Sequence, residues 1–443
     1  MRRLLAVVLL SALGCAALVA QPTSTAIVIT GARVLDVTTG RAQPTVAVVI
    51  EGDRIAAIQT QPGPLPSPAS TVDGSELTLV PGLFDLVVDA APSAWIDPDY
   101  YYALGLAHGV TAYRLVDAPL TWAIEHRRRA GSLDLLAPRL WISGPGLELR
   151  PGTDAENAAG VIPIPLDGRV RVTGTAGLER EIARAAAGKA DWVHLGPTVG
   201  GESVRAAVAV ARRHKLRVSA EPGETELMDL ARAGVDAVIG LGPAGADPHA
   251  AADVQRLARE LAATRTVLVP MVRQSADAAL GPSNPLLARE LEMLPRRFRD
   301  DVQKRLGRGG DRAAQRAWRT RRDLVRAFVS AGGRLAVGSG TGTLGWPVPG
   351  LSVIHELQLL VESGVPIADA IRAATQQPAA TLGLGDRAGR LRVGAPADFV
   401  GVAGDPSTDI RALAAIRLVV RGGELINRDD LVKQAARAAS RIR

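Results

Sequence analysis

The sequence predicts an α/β fold: a (β/α)8 TIM-like barrel joined to a small composite β-sandwich domain built from both termini. Two observations carry this. From residue 82 to 384, short apolar runs alternate with longer Ala- and Arg-rich helical patterns, and eight strands separated by helices are the mark of such a barrel. On either side, a turn-punctuated apolar–polar alternation at residues 26–60 returns in the same style at 397–423. Strands at both ends of a long middle imply one small domain made from two chain ends.

The elements follow in order. Residues 1–20, MRRLLAVVLLSALGCAALVA, place two arginines before an apolar run and then small residues, the layout of a secretory signal peptide. Cleavage after Ala20 leaves a start at Gln21 and sends the chain to the periplasm or cell envelope. Cys15 is the only cysteine. Lipid attachment there is a second route to the envelope, and an uncleaved anchor a third. No later stretch is apolar and long enough to span a bilayer, so membrane contact is expected only through such a lipid. A mature chain without Cys15 has no disulfide, no thiol nucleophile and no cysteine metal ligand.

The composite β-domain is expected over 21–81 and 385–426. Ile27-Val28-Ile29-Thr30, Val34-Leu35-Asp36, Val46–Ile50 and Arg54–Ile58 are separated by Gly31, Gly40 and Gly52-Asp53, which reads as short strands joined by tight turns. Ala397–Val402 and Ile416–Gly423 repeat the pattern. The barrel, 82–384, has candidate strands at 83–89, 110–116, 139–143, 192–195, 216–220, 237–241, 266–272 and 334–338. Active residues of such barrels sit at the C-terminal strand ends. Gly144–Pro151 reads as a loop at that mouth, Arg296–Arg322 as a solvated basic helical face, and 427–443 as a polar C-terminal tail in helical form.

A chain of 443 residues, 47% hydrophobic and 22% charged, is long enough for the barrel and a second domain and is not disordered. Its net charge of +7 reads as compositional, with mild attraction to anionic envelope surfaces. No nucleic-acid-binding motif accompanies that charge, so no nucleic-acid partner is expected.

Several segments together resemble the amidohydrolase superfamily, in particular its imidazolonepropionase/prolidase-like branch. Val80–Asp89, VPGLFDLVVD, is similar to the opening "VPGLIDxHxH". The stretch ITGARVLDVTTGRAQPTVAVVIEGDRIAAI resembles the family's N-terminal β-domain, GVTAYRLVD its second barrel strand, and the run from Pro349 to Pro406 its last helix and return to the β-domain. The resemblance spans residues 26 to 426. It implies one or two divalent metals, usually zinc, at the barrel mouth of a hydrolase of non-peptide C–N bonds. The ligands it implies are two strand-1 histidines, a carboxylated strand-4 lysine, histidines on strands 5 and 6, and a strand-8 aspartate that also shuttles the proton. Imidazole and carboxylate suit zinc, whose open coordination lets bound water ionise near neutral pH.

Transferred residue by residue, none of these types is kept. Strand 1 offers Val87 and Asp89, and strand 4 His194. Strand 5 offers Ala220 or Glu221, depending on a one-residue register. Strand 6 offers Gly240 and strand 8 Gly340. No bound zinc or other cofactor is therefore expected, and no residue is assigned a catalytic role. These departures from the family pattern imply a pseudo-enzyme that binds a small molecule at the mouth or serves as a scaffold. The alternative is an active hydrolase with a rebuilt site using Asp89, His194 and Glu221; a purely structural envelope protein is the third reading. Asp89 and His194 are expected to face each other across the mouth. His108, His126, His214 and His249 read as surface or packing residues, and His355 as structural.

Overall fold

The computed structural model describes residues 26–89, 97–132, 134–149, 161–163, 168–242, 253–294, 296–306, 310, 312–342 and 348–441. The expected leader, Cys15 and His249 lie outside them.

Seven strands come first: β1 (Ala26–Thr30), β2 (Arg33–Asp36), β3 (Arg41–Pro44), β4 (Ala47–Glu51), β5 (Arg54–Gln59), β6 (Ala69–Asp73) and β7 (Leu77–Pro81). A parallel series follows: β8 (Leu83–Val88), β9 (Val110–Leu115), β10 (Arg139–Ile142), β11 (Gly146–Leu149), β12 (Val161–Pro163), β13 (Arg169–Val172), β14 (Trp192–Leu195), β15 (Arg217–Ala220), β16 (Ala237–Ile239), β17 (Val267–Val269) and β18 (Arg334–Leu335). Of these only β12 runs antiparallel, against β13. The chain ends with β19 (Phe399–Ala403), β20 (Ile416–Arg421), β21 (Glu424–Ile426) and a helix, Arg428–Ser440.

One sheet has the order β5-β4-β1-β6, another β21-β20-β19-β7-β2-β3. In the second, Phe399 stands opposite Pro81 across an antiparallel pair, so strands from the two ends of the chain share a ladder. Ile29, Ile50 and Ile55 of the first sheet pack with Leu79, Phe399 and Val420 of the second in a single buried cluster. The alternation read from residues 26–60 puts those side chains on one face.

The parallel strands form a three-stranded sheet, β10-β9-β8, and a longer one, β12-β13-β11-β14-β15-β16-β17-β18. Hydrogen bonds join the two sheets, from β10 to the residue before β14 and from β8 to the chain after β18. Asp191 N donates to Ile142 O (2.8 Å), Leu86 N to Val337 O (3.0 Å), Gly340 N to Val87 O (2.9 Å) and Asp89 N to Thr341 O (2.7 Å). Inside this parallel array lie Phe84, Leu86, Val87, Ala112, Val116, Trp192, Ile239, Val269 and Met271, a cluster separate from the larger one. Strands β8, β9, β10 and β14–β18 coincide with the eight sequence candidates to within three residues at either end. Strands β11, β12 and β13 were not anticipated, and β11 occupies part of the expected 144–151 loop.

Two further readings are corrected by packing. Arg321, within the basic stretch taken as solvated, is buried, its guanidinium donating to Ser275 Oγ (2.5 Å) and Gly242 O (3.1 Å). The C-terminal helix is not wholly polar. Asn427 caps it through Asp429 N (2.9 Å), while Leu431, Ala435 and Ala438 bury one face and Arg428 donates to Ala107 O (3.0 Å). No helix among the described residues is long and apolar enough to cross a membrane.

Two buried carboxyls couple the fold to pH. Asp85 accepts from Val87 N (3.1 Å), Ser339 N (2.8 Å) and Ser339 Oγ (2.5 Å), tying β8 to the chain after β18. Burial pushes its pKa up to about 6 against those hydrogen bonds. Glu356 accepts from Val272 N and Arg273 N, both at 2.8 Å, where the helix Val272–Leu280 starts just after Met271, a residue held at φ 51°. Burial lifts Glu356 to about 7. Both groups hold protons more tightly folded than unfolded. Their contribution is complete below their unfolded pKa values and lost as pH rises through the folded ones. These two carboxyls should therefore lower stability by on the order of 3 kcal/mol between roughly pH 5 and pH 8, opposed in the acidic part of that range by His108, which burial holds neutral with a pKa pushed down to about 4, and Glu356→Gln should make the fall shallower. Urea denaturation across this range is the check; an unchanged slope in the variant would refute the assignment.

Candidate functional site at the barrel mouth

The C-terminal strand ends carry a polar cluster on one side only. Its centre is Arg169, the first residue of β13, in register with Gly146 of β11. Its Nε donates to Asp117 Oδ2 (2.8 Å), Nη1 to Glu148 Oε1 (2.6 Å) and Nη2 to Glu221 Oε1 (2.8 Å). Asp117 follows β9 with φ 53°, a conformation that turns the chain sharply at the strand end. A Cβ at Gly168 would overlap the Asp117 carbonyl, so glycine is required where the chain enters β13.

His194, on β14, is 1% exposed. Its Nε2 lies 3.0 Å from Glu221 Oε1 and its Nδ1 3.0 Å from Ser219 Oγ. In the neutral imidazole, Nε2 donates to the carboxylate and Nδ1 accepts from the hydroxyl; in the protonated ring both nitrogens donate. Beneath this layer Arg114 fills the interior. It donates to Leu86 O (2.7 Å), Ser219 Oγ (2.7 Å) and Ser143 Oγ (3.3 Å), and lies 4.9 Å from the centre of the Trp192 ring. Burial pulls its pKa down to about 9, against the opposing charges of Asp117 and Asp85.

Burial opposes the charge on Glu221, but the hydrogen bond and charge of His194, with those of Arg169, outweigh it and hold its pKa at about 2. Burial wins at Asp117, whose carboxyl is raised despite His194 and Arg169. Arg169 is raised because Asp117 and Glu221 outweigh its own desolvation.

The other sequence candidates stand outside this cluster. Val87 packs where a Cβ on Gly338 would come within 2.5 Å of its methyl, beside Val269. Gly340 has φ 67°, and a Cβ there would meet Met271 Cε at 2.5 Å and Gln274 Nε2 at 2.8 Å. Gly240, at φ 78°, faces open space. On strand 5, Ser219 and Glu221 share the face that meets His194, while Ala220 packs in the outer core. Asp89 does not pair with His194: both ring nitrogens of the histidine are engaged by Ser219 and Glu221. The Asp89 carboxylate instead acts electrostatically on Tyr101. Of the anticipated trio of Asp89, His194 and Glu221, the structure groups the last two with Asp117. Asp117, Glu148 and Arg169 had not been singled out. The one available signal was an aspartate directly after a strand, in Arg114-Leu115-Val116-Asp117.

Of the other histidines, His108 is buried with Nδ1 2.9 Å from Leu104 O, and burial lowers its pKa to about 4. His126 stacks on Trp122 at 3.9 Å between centroids. His355 Nδ1 lies 2.7 Å from Glu290 Oε1 in the protein interior.

Asp117, His194 and Glu221 offer ligand atoms all within 4.8 Å of one another, and oxygen with imidazole is a donor set that zinc accepts. The arrangement nonetheless does not fit a divalent metal. Arg169 donates to both of those carboxylates, and an ion at the ~2 Å coordination distance of zinc would lie against the guanidinium, where like charges repel. The site as folded can grip a guanidinium, orient an imidazole and hold the Glu221 carboxylate charged.

The family model described as "Amidohydrolase family" matches residues 79–426. Among solved structures, the chain is similar to a Xaa-Pro dipeptidase with bound methionine in the active site, at 20% identity and TM-score 0.68, covering 91% of this chain and 100% of that one. It is also similar to A. niger ochratoxinase, at 19% identity and TM-score 0.65 over 90% and 95% of the two chains, and to molinate hydrolase, at 17% and 0.68 over 92% and 96%. A search of the curated proteins finds no match.

Proposed function

The chain belongs to the amidohydrolase family, a family of typically metal-dependent hydrolases of C–N bonds, and from that premise we propose that in this member a guanidinium has taken the place of the metal. The observation that carries the reading is Arg169 bridging Asp117, Glu148 and Glu221 at the strand ends. A hydrolytic water needs a metal or a free base to activate it. Here Glu221, the base nearest His194, is held ionised in two charge-assisted contacts. The protein therefore acts as a pseudo-enzyme, using its mouth to bind a small molecule or to support a scaffold. The eight parallel strands form one closed barrel at 82–384, supported by the hydrogen bonds between the two sheets. Residues 21–81 and 385–426 form the composite domain, supported by the shared ladder of β7 and β19. Residues 1–20 direct export, with Cys15 as the lipid site if a lipid is attached.

A second reading, an active hydrolase with a rebuilt site, is favoured by one observation: the 4.8 Å grouping of Asp117, His194 and Glu221, which becomes a ligand set if Arg169 swings out. Elemental analysis after a chelator wash separates the two. Less than about one-tenth equivalent of zinc is expected, because the groups that would hold it are already engaged. Stoichiometric metal would replace the first reading with the second.

A further inference from the structure

At the other end of the barrel, where its strands begin, lies a cavity of about 340 Å³ between the barrel floor and the segment that leads back to the β-domain. Its floor is Phe84, Thr111 and Trp141, from the starts of β8, β9 and β10; its walls carry Arg54, Arg139, Arg387 and Arg392. That volume lies within the range of small-molecule sites, which are mostly apolar with a few fixed polar groups. Four guanidinium groups face one carboxylate in the lining, that of Asp398. Asp398 is already committed: its oxygens accept from Arg139 Nε (2.5 Å) and Nη2 (3.3 Å) and from Gly422 N (2.6 Å), with Arg421 at 3.6 Å.

The remaining arginines are held by the main chain. Arg54 donates to Gly394 O (2.9 Å), Arg387 to Leu384 O (3.2 Å) and Gly383 O (3.0 Å), and Arg392 to Asp386 O (2.9 Å). Among the described residues, the charged partner of Arg54 is the exposed Asp53 alone, at 3.6 Å. Among the described residues, no ion pair to Arg387 or Arg392 is made. Carbonyl anchoring fixes these side chains without neutralising them and leaves N–H groups free in a planar fork, the geometry that takes an oxyanion in two parallel hydrogen bonds. Trp141 is half-buried beside Phe84, with ring centroids 6.2 Å apart, and offers a flat apolar wall next to the cations.

We infer that this cavity is a second ligand site, distinct from the barrel mouth, for a small anion that joins carboxylate groups to a planar apolar body. The arginines bind the carboxylates, and Trp141 and Phe84 cover the ring. The inference is independent of the mouth's chemistry, since none of the residues involved is shared with it.

The test is calorimetric titration of the full chain with isophthalate, its neutral isostere isophthalamide, and inorganic phosphate. Isophthalate should bind at least about tenfold more tightly than either and weaken as salt rises. Arg387→Gln and Arg392→Gln combined should lower isophthalate affinity by at least about tenfold, and Trp141→Leu by several-fold. Neither arginine carries a carboxylate contact, so the double variant should fold; an unchanged melting temperature verifies this. Equal binding of isophthalate and isophthalamide would overturn the inference. So would phosphate binding as tightly as isophthalate, or a folded double variant with undiminished affinity.

Discussion

Arg169→Ala should destabilise the protein by about 3–5 kcal/mol, the usual cost of stranding partly buried charges, and should make it zinc-responsive. Removing the guanidinium leaves Asp117, Glu148 and Glu221 converging on one space with His194 beside them. A divalent cation is the natural replacement, and binding to the folded state alone raises stability with concentration. Urea denaturation with zinc and with chelator measures both effects. Wild type should give the same midpoint in either, the variant a higher one in zinc. The acid limb should also move. Glu221 is depressed to about 2, so its contribution is present above its unfolded pKa and lost as pH falls through the folded one. Without Arg169 part of that depression is lifted, and acid unfolding of the variant should begin at higher pH. A variant as stable as wild type and indifferent to zinc would show that Arg169 is not the keystone.

Glu290→Ala should cost a comparable amount, about 3–5 kcal/mol, at a place with no access to ligand. Glu290 is fully buried and accepts from Val348 N (3.0 Å), Ser352 Oγ (3.0 Å) and His355 Nδ1 (2.7 Å), with Arg273 at 3.7 Å. Alanine would strip the acceptor from all of these at once, and buried donors without acceptors are costly. Burial alone would raise this carboxyl, yet Arg273 and His355 hold it below its ordinary value, so its contribution too is lost on acidification. Denaturation midpoints of the two variants at neutral pH give the comparison. A loss under about 1 kcal/mol would mean that Arg273 transfers fully to Asp277, which it already meets at 2.8 Å.

The barrel strands were legible because parallel strands buried on both faces write themselves as short continuous apolar runs, as in Trp192–Leu195 or Val267–Val269. Strands β11 to β13 were not. Gly144, Pro145, Pro151 and Gly168 punctuate that region like a loop, and Arg169-Val170-Arg171-Val172 is too short and charged to stand out from the helices around it. For the site the family resemblance had a mixed effect. It directed attention to His194 and Glu221, which the structure does bring together, and to positions 87, 240 and 340, which stay outside the cluster. It could not point to Asp117, Glu148 or Arg169, because those positions carry no ligand in the pattern. A family pattern names strand positions to inspect; which long side chain reaches across the mouth is decided by tertiary packing.

The packing around Gly340 bears on any attempt to install a ligand side chain at 340. A Cβ there would meet Met271 Cε at 2.5 Å and Gln274 Nε2 at 2.8 Å. Both atoms end flexible side chains that can turn aside. The backbone at 340, held at φ 67°, strains any residue but glycine. An aspartate at this position is therefore opposed more by the main chain on which it would stand than by the side chains it would meet.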